Sequence, residues 1–528
     1  MPATVPHNLS VSPEPVVKLE NYFHEPYNLA IATARTCYSS RVISRTDVDR
    51  DEKAREQRDR IAESIYKAGH HTTIQHPTFQ FVLEKVSRQF IWSFLHAHPF
   101  YNSEQVSQRY VEVKPGNVTV PPLAEGARVI YLQTVERQMD AYHRIIELVA
   151  PAVTREYRRI FPSRDPQDKR WASSIKKRCQ EVARYVLPVA THAHLYHTIS
   201  GLTLHRYWRL CQQFDVPLEQ RLVVERMVAE VAKIDPAFVA LAKEPVPLSQ
   251  TLEYQMFERF HGTTRNGATS QFLQEFDREL GGAVSKLIDH SVNAEATMAR
   301  AVRCVLGVTA EQVDDAEAIA MVLDPARNPY LSDALTVTTL SKLSRAMVHP
   351  HFTFQKKLSH TADSQDQRHR MVPASRPILA AHFMSGHPDY ILPPLIASTP
   401  EAEACYREVM ARTWTAIDQL LNAGVSEECA LYLLPNAFPI RFEESGDLLH
   451  FHHKWVQRLC YTAQEEIWDA CREEVLQVKA RFPVIGNYLQ APCWPRSKAG
   501  VRPTCPEGDR FCGVAVWKMP IEEYRRLI

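Results

Sequence analysis

The segment Gln365-Asp366-Gln367-Arg368-His369-Arg370 has a weaker counterpart in the first half of the chain. Residues 273 positions apart share an aromatic frame and a histidine, although the first half lacks both arginines. The paired residues are Phe79 with Phe352, Phe81 with Phe354, Leu95 with Arg368, His96 with His369, and Ala97 with Arg370. Similarity at a fixed separation indicates an internal repeat.

A second set of matches supports the repeat at a separation of 247 positions. It pairs Ala183 with Ala430, Tyr185 with Tyr432, Leu187 with Leu434, Pro188 with Pro435, His205 with His452, and Trp208 with Trp455. Because two separate stretches repeat, the sequence predicts two diverged copies of one domain. A chain of 528 residues is long enough for each copy to bury its own core.

Composition and charge narrow the classes of function. The chain has 62 basic and 61 acidic residues, and this balance argues against broad electrostatic binding of nucleic acid or an anionic membrane. No apolar run approaches the roughly 20 residues that a membrane helix needs. Eleven cysteines, an odd number, and the absence of a signal segment after Met1 predict reduced thiols in a cytoplasmic protein. We therefore expect small-molecule partners.

The repeat and the local composition set the predicted domain boundaries. They are a flexible arm at 1–20, the first copy at 21–260, a linker at 261–285, the second copy at 286–482, and a tail containing cysteine and proline at 483–528. Alternating apolar residues over 78–83 predict a strand, and helical periodicity appears over 56–67 and 87–95. Each copy is therefore predicted to have an α/β (α+β) fold.

Short motifs in both halves resemble those of one enzyme family. The first half contains Ala34–Tyr38, Gly69–Thr72, Phe79–Phe81, Ser87–Gln89, Ser107–Tyr110 and Ala183–Pro188. The second half contains Arg368–Arg370, Arg458 and Ala463–Ile467. In order and spacing these motifs resemble the flavin-dependent thymidylate synthases. The resemblance implies that each copy is a mostly antiparallel sheet flanked by helices, and that the two copies form a pseudo-dimer.

The two copies have lost complementary parts of the family's site. The resemblance implies homotetramers in which neighbouring subunits share each active site. The second copy keeps Gln365, Arg368, His369, Arg370 and Arg458 but has Leu431 opposite Arg184, whereas the first keeps Ser107, Arg109, Tyr110 and Arg184 but has Leu95, Ala97 and Cys211. We therefore predict one composite site per chain, within or between chains, and a homodimer that forms a pseudo-tetramer.

The resemblance also implies a role for each candidate residue. Binding of dUMP is assigned to Gln365, Arg368, Ser107, Gln108, Arg109, Arg184 and Glu104, and binding of FAD to Arg368, His369, Arg370, His70, Thr72 and Gln75. Arg458 and Arg368 are the candidate catalytic residues. The chemistry suits these residue types, because guanidinium groups bind phosphate through two hydrogen bonds and stabilise negative charge that develops on a pyrimidine ring.

The implied reaction is reductive methylation of dUMP to dTMP, with FAD, with NADPH as reductant and with methylenetetrahydrofolate as the one-carbon donor. Two alternatives stay open. One is a related enzyme that methylates or hydroxymethylates another pyrimidine nucleotide, with the altered loop at Ser103–Gln105 as the place of change. The other is a non-catalytic protein that binds flavin or nucleotide.

Structural explanations compete with each functional one. Arg368–Arg370 could complement a helix dipole, Ser107–Tyr110 could be a polar turn, and Arg184 could be a salt-bridged helix residue. Cys493, Cys505 and Cys512 could hold zinc with a fourth ligand, although they lack a Cys-x-x-Cys pair, and buried free thiols are the simpler interpretation. No other metal site is predicted.

Overall fold

The computed structural model describes residues 10–96, 100–162, 164–165, 168–262, 265–508 and 511–523. Ala97, compared above with Arg370, lies outside the described residues. Within them, no helix is long and apolar enough to cross a membrane.

The strands form two four-stranded antiparallel sheets, one in each half of the chain. The first sheet has β1 (Val16–Tyr22), β2 (Thr78–Ser87), β3 (Tyr101–Gln105) and β4 (His192–Ser200) in the order β1-β2-β4-β3. The second has β5 (Ser285–His290), β6 (His351–Ser359), β7 (Ala374–Ser375) and β8 (Pro439–Asp447) in the order β5-β6-β8-β7. Because the two orders are equivalent, both halves have the same topology, and the predicted fold class is confirmed.

Helices flank each sheet. The first half contains α1 (Pro26–Thr36), α2 (Arg45–Asp49), α3 (Glu52–Ala68), α4 (Arg88–His96), α5 (Glu125–Ile160), α6 (Lys169–Ala183), α7 (Gly201–Arg209), α8 (Pro217–Ala232), α9 (Pro236–Ala240) and α10 (Leu252–His261). The second contains α11 (Arg265–Leu280), α12 (Ala294–Leu306), α13 (Asp315–Leu323), α14 (His360–Asp366), α15 (Leu379–His382), α16 (Pro394–Ala397), α17 (Pro400–Asn422), α18 (Glu427–Leu431), α19 (Leu448–Arg458), α20 (Glu465–Arg481), α21 (Pro483–Gly486) and α22 (Cys493–Lys498). Short 3-10 turns lie at His71–Gln75, Arg184–Val186, Leu248–Gln250, Pro329–Ser332, Val337–Leu340, Ser344–Val348 and Val516–Lys518.

A bulge in β2 corrects the predicted alignment of the two copies. The pairing of β2 with β4 shifts by one residue between Leu83 and Val86, where Lys85 has a left-handed φ of 57°. The pairing of β6 with β8 has no such shift. The first copy therefore has one extra residue here, and the separation of equivalent residues changes from 273 to 272 positions.

Backbone hydrogen bonds after the bulge show the corrected alignment. The Arg88 N–H donates to the Thr191 carbonyl at 2.9 Å, and the His360 N–H donates to the Phe438 carbonyl at 2.8 Å. With this register Arg368 is equivalent to His96, so the predicted matches of Leu95 with Arg368 and of His96 with His369 are wrong. The counterparts of His369 and Arg370 are at positions 97 and 98, outside the described residues. The first copy still lacks an arginine at each of these positions.

The two copies meet around a pseudo-two-fold axis. Pro188 and Pro435 form an isolated antiparallel bridge, and the backbone bonds beside it occur in equivalent pairs. These are Val189 N–H to Leu434 O at 2.8 Å with Asn436 N–H to Leu187 O at 2.8 Å, and Ala190 N–H to Tyr432 O at 3.0 Å with Ala437 N–H to Tyr185 O at 2.9 Å. This exchange is the isologous contact of a dimer, made within one chain.

Buried side chains repeat the same symmetry. The carboxylate of Glu219 accepts from Ser87 Oγ at 2.6 Å and from Tyr432 OH, in the other copy, at 2.6 Å. The carboxylate of Glu466 accepts from Ser359 Oγ at 2.6 Å and from Tyr185 OH at 2.5 Å. Each cluster therefore links one copy to the other, and the pseudo-dimer shares one continuous core.

Regular elements occupy parts of the three segments predicted as arm, linker and tail. Residues 16–20, assigned to the flexible arm, belong to β1 and pair with β2. The predicted linker at 261–285 is largely helix α11, whose Leu273 and Phe276 are buried. Ser285 already belongs to β5. The predicted tail contains α21 and α22, and Val516 and Ile521 within it are buried.

Candidate functional site

Arg368 of the second copy lies against strand β3 of the first. Its Nη2 donates to the Ser103 carbonyl at 3.2 Å and pairs with Glu104 Oε1 at 2.9 Å. Arg370 donates to Asn102 Oδ1 at 3.4 Å and lies over the ring of Tyr101, 4.9 Å from its centroid. The arginine-histidine-arginine segment therefore meets the first copy within the same chain.

A cavity of about 360 Å³ opens at this contact. It is lined by Gln80, Leu95, Tyr101, Asn102, Ser103, Glu104, Gln105, Tyr196, Thr198, Arg368 and Arg370. Among the described residues, Ser103 Oγ is buried without a hydrogen-bond partner. Two guanidinium groups, an aromatic ring and an unsatisfied hydroxyl give the cavity both charged and apolar surfaces.

Arg458, at the end of α19, and His369 form a half-buried pair. Arg458 Nε donates to His369 Nε2 at 2.9 Å, and Arg458 Nη2 donates to the Gln365 carbonyl at 2.9 Å. Burial, then the charges of Arg458 and Lys454, hold the pKa of His369 well below its usual range. The neutral imidazole therefore accepts at Nε2, and its remaining proton is on Nδ1.

The loop after β3 supplies Ser107, Gln108 and Arg109. Arg109 Nε pairs with Glu181 Oε2 at 2.6 Å, and its Nη2 donates to the Thr462 carbonyl of the second copy at 2.5 Å. Its backbone N–H donates to Ser107 Oγ at 3.3 Å. Arg109 therefore joins the first copy to the second through a contact of its own, separate from that of Arg368.

Arg184 carries a buried charge that is incompletely paired. The residue is 4% exposed, and its Nε and Nη2 have no hydrogen-bond partner in the described part of the chain. Burial lowers the pKa of Arg184, an effect that Glu181 opposes and Arg109 reinforces. An unpaired buried guanidinium is unfavourable, so this position would be stabilised by an anion.

Polar groups connect these residues across the pseudo-dimer. Gln365 Nε2 donates to Gln464 Oε1 at 2.7 Å, and Gln464 Nε2 donates to Tyr185 OH at 2.8 Å. Asn436 Nδ2 donates to Gln108 Oε1 at 3.1 Å and to the Arg184 carbonyl at 3.0 Å. The structure thus links Gln365 and Gln108, from different copies, to the same set of buried groups.

A second cavity, of about 390 Å³, lies beside the loop that carries Gln108. Arg88 Nε, Gln108 Nε2 and His192 Nε2 belong to its lining residues and are buried without partners among the described residues. Burial, then the charge of Arg184, lowers the pKa of Arg88 to about 9.

Sequence reasoning missed Arg88 and Glu181 as site residues. Arg88 lies within the motif Ser87–Gln89, and Glu181 lies one helical turn before Arg184, so both were detectable in principle. What identifies them is spatial proximity to Arg109 and Arg184.

The predicted flavin residues His70, Thr72 and Gln75 occupy a different region. Thr72 and Gln75 belong to the 3-10 turn His71–Gln75, which packs against α1 and α7 of the first copy. None of the three is among the described residues that line the 360 Å³ cavity. Within one chain, therefore, they do not complete the site formed by Arg368 and Arg370.

The tail cysteines gather around a small cavity of about 10 Å³. Cys493, Cys505 and Cys512 line it, together with Cys460. Burial is the largest cause that raises the pKa of the Cys493 thiol, to about 12. Within the described ranges, no group of three or more histidine, cysteine or acidic side chains has an arrangement that could hold a metal ion.

The pseudo-two-fold axis also defines a mirror face, the position equivalent to the site just described. It carries Leu431 for Arg184, Cys211 for Arg458, Asp215 for Thr462 and Glu428 for Glu181. A cavity of about 270 Å³ remains there, with Phe214, Phe257 and Leu379 in its lining. Burial raises the pKa of Asp215 to about 7 and, together with Glu219, that of Glu428 to about 8. This face is therefore apolar and acidic.

A family model described as thymidylate synthase complementing protein matches residues 18–237 and 286–484. The two segments cover more than half of the chain, with one segment in each copy. The chain belongs to this family.

Curated relatives from the family correspond in length to a single copy. The flavin-dependent thymidylate synthase of Clostridium tetani is 27% identical over 223 residues, which are 42% of this chain and 83% of the relative. That of Nitratidesulfovibrio vulgaris is 28% identical over 236 residues, 43% of this chain and 87% of the relative. A solved structure of the UMP/dUMP methylase PolB from Streptomyces cacaoi, bound with 5-Br dUMP, is 18% identical, covers 43% of this chain and 94% of its own, and has a TM-score of 0.29.

Proposed function

We propose that this protein methylates dUMP to dTMP as a flavin-dependent thymidylate synthase, with one active site formed by both copies of each chain. The observation that carries the proposal is that complementary residue sets meet inside one chain. Arg368 contacts Glu104, and Arg109 contacts the Thr462 carbonyl next to the Arg458 helix. The names of the curated relatives support the same activity.

The nucleotide phosphate is assigned to Arg184 and Arg109, with Ser107 and Gln108 beside them. The unpartnered nitrogens of Arg184 supply donors and charge for a phosphate. Binding would exchange the contact of Arg109 with Thr462 for a contact with the ligand. A phosphate held here directs the pyrimidine toward Gln365, Arg368 and Arg458, since these lie across the interface from the loop.

Arg458 is assigned to the pyrimidine ring. Its guanidinium is held at two points, by His369 and by the Gln365 carbonyl. A preorganised cation stabilises negative charge as it builds on the ring during attack by C5. Arg368 provides a second cation at the edge of the same site.

The residues around the 360 Å³ cavity fit a flavin. Arg368 and Arg370 offer cations for a pyrophosphate, and Tyr101 and Leu95 offer apolar surface for a ring. When bound, FAD reduced by NADPH would supply the hydride that, with the methylene unit of methylenetetrahydrofolate, replaces the C5 proton by a methyl group. We further propose that His70, Thr72 and Gln75 of a second chain complete the flavin site in a cytoplasmic homodimer.

The test is production of dTMP by the purified protein with dUMP, methylenetetrahydrofolate, NADPH and FAD. The assay is run in parallel with UMP and dCMP as substrates. Turnover of dUMP is expected to exceed that of both by at least about tenfold. Binding of nucleotide and flavin without any product would contradict the proposal, and product from dCMP alone would reassign the substrate.

A mixing experiment tests the location of the site. Arg368→Ala and Arg109→Ala chains are co-expressed with different tags, and mixed dimers are isolated through both tags. If each site is formed by the two copies of one chain, every site in the mixed dimer contains one of the two substitutions, and activity is expected to stay at the level of the single variants. Recovery to about half of wild-type activity would place the site between chains.

A further inference from the structure

A network of five fully buried ionisable side chains lies directly behind the candidate site. Lys356 Nζ is 3.2 Å from Asp366 Oδ2, 3.1 Å from Glu444 Oε2 and 2.8 Å from Glu474 Oε1. Lys454 Nζ is 2.8 Å from Asp366 Oδ1 and also pairs with Glu444. None of the five side chains is exposed to solvent. We call these residues the ionic network.

The ionic network joins the elements that carry the site. Asp366 ends α14, two residues before Arg368, and its carbonyl accepts from the His369 N–H at 3.1 Å. Lys454 lies on α19 one helical turn before Arg458. The other three members, on β6, β8 and α20, anchor these two segments to the sheet.

The first copy shows that the fold does not require these charges. In the corrected register the equivalent residues are Leu83, Phe94, His197, Tyr207 and Met227, all of them buried. Phe94 and Tyr207 pack with ring centroids 4.3 Å apart, and the Tyr207 hydroxyl lies 3.3 Å from His197 Nε2. The same position in the same topology is filled by aromatic and aliphatic packing.

Burying five charged groups is energetically unfavourable, and replacing buried ion pairs by apolar residues is often neutral or stabilising. The fold alone therefore does not explain why the second copy has them. Three carboxyl groups face two ammonium groups. Burial lowers the pKa of Arg458, and the charge of Asp366, a member of the network, opposes that effect.

We propose that Lys356, Asp366, Glu444, Lys454 and Glu474 are positioning residues that fix Arg368, His369 and Arg458 for the reaction. The inference deepens the proposed function and rests on it for the meaning of the site. Within the described residues, no hydrogen bond or ion pair joins the network to Arg184 or Arg109, assigned above to the phosphate, or to Ser107. The network is therefore expected to orient Arg368, His369 and Arg458. Its disruption is expected to leave binding of the nucleotide phosphate unchanged.

The experiment compares two changes to the network with a matched control in the full-length protein. The first is the charge-balanced pair Glu444→Gln with Lys454→Met, and the second is Asp366→Asn, which keeps the side-chain shape. The control is Glu473→Gln on the same helix as Glu474, since the described hydrogen bonds of the Glu473 carboxylate come only from the backbone N–H groups of Val284 and Ser285.

Hydrogen–deuterium exchange is measured on peptides covering 360–372 and 105–112. In both network variants, uptake over 360–372 is expected to rise by about tenfold or more in rate while uptake over 105–112 is unchanged. This readout does not depend on enzymatic activity, so it decides the positioning role even if the wild-type protein forms no dTMP. Unchanged exchange over 360–372 in a folded variant overturns the inference.

Kinetics supply the second readout. With wild-type activity established, kcat is expected to fall by about 100-fold in the charge-balanced pair while the KM for dUMP changes by less than about threefold. A purely structural role predicts either no change or a parallel loss of folded protein without a split between kcat and KM. If the charge-balanced pair does not fold, Asp366→Asn carries both measurements, and equal behaviour of Asp366→Asn and Glu473→Gln refutes the proposal.

Discussion

The face that carries the candidate site, here called the active face because of its proposed role, and the mirror face have equivalent backbones and different chemistry. The active face presents Arg184 and Arg458, and the mirror face presents Leu431 and Cys211 at the equivalent positions. On the active face Glu181 pairs with Arg109, whereas its equivalent Glu428 accepts from the Leu218 N–H at 2.8 Å. At these positions the cations Arg184 and Arg458 are present on the active face alone, although the two sheets have the same topology.

The difference has a physical reason. At the axis, equivalent residues of the two copies bind each other, as in the hydrogen bonds that the carbonyls of Leu187 and Leu434 accept from the opposite copy. A substitution there in one copy therefore also removes a contact of the other copy. The two faces are related by the axis, and their cavities are lined by different residues. Side chains there can diverge without disturbing the shared core, provided that one complete set of residues persists.

The strongest test of the comparison is to truncate the side chain at the same equivalent position on each face. Arg458→Ala is expected to lower kcat/KM for dUMP by about 10²–10³-fold, because charge that builds on the ring loses its preorganised partner. Cys211→Ala at the mirror face is expected to change it by less than twofold. Steady-state dTMP formation measures both, and an equal loss would show that the mirror face is also catalytic.

Arg184 provides a second contrast, in which binding and stability change in opposite directions. Arg184→Leu introduces the residue found at the mirror face, and it is expected to weaken dUMP binding by about 10–100-fold. It should also raise Tm by a few degrees in the absence of ligand, because a buried and incompletely paired guanidinium is removed. Calorimetric titration and thermal unfolding measure the two effects, with Leu431→Met as control. A lower Tm together with unchanged affinity would assign Arg184 a structural role.

The symmetric tyrosines sharpen the comparison further. Tyr185→Phe and Tyr432→Phe each remove one of the two hydroxyl donors of a carboxylate, Glu466 or Glu219, and each should destabilise the protein by about 1–3 kcal/mol. Only Tyr185 also accepts from Gln464, which binds Gln365. We therefore expect equal shifts in denaturant midpoint but a further loss of activity, about tenfold, for Tyr185→Phe alone. Equal activities would remove the link from Gln464 to the site.

The smallest expected effect concerns pH at the mirror face. Burial raises the pKa of Glu428 to about 8, so the folded state holds a proton that the unfolded state releases near its ordinary pKa. Stability is therefore lost as pH rises from about 4.5 toward 8. Glu428→Gln should raise Tm by a few degrees at pH 8 and leave it unchanged at pH 4. Thermal unfolding across this range tests it, and a gain independent of pH would exclude proton linkage as the cause.

Several elements of the fold were predictable from sequence because they depend on local pattern. The alternation over Phe79, Phe81 and Leu83 marks buried positions of β2, and the repeat predicted two copies with one topology. The alignment beyond residue 83 was wrong because a single bulge residue, Lys85, has little signature in a sequence. The φ angle of Lys85 depends on the pairing of β2 with β4, and the local sequence does not predict that pairing.

The sequence by itself determined that this chain contains two copies and that the residues predicted for the site are divided between them, since residue identities and their spacing are written in it. Only the tertiary structure decided that Arg368 meets Glu104 and that Arg109 meets Thr462 within one chain. It alone also showed that a buried ionic network lies behind one copy and an aromatic cluster behind the other. Contacts between residues far apart in sequence depend on how the copies pack around their axis. The local sequence pattern does not specify that packing.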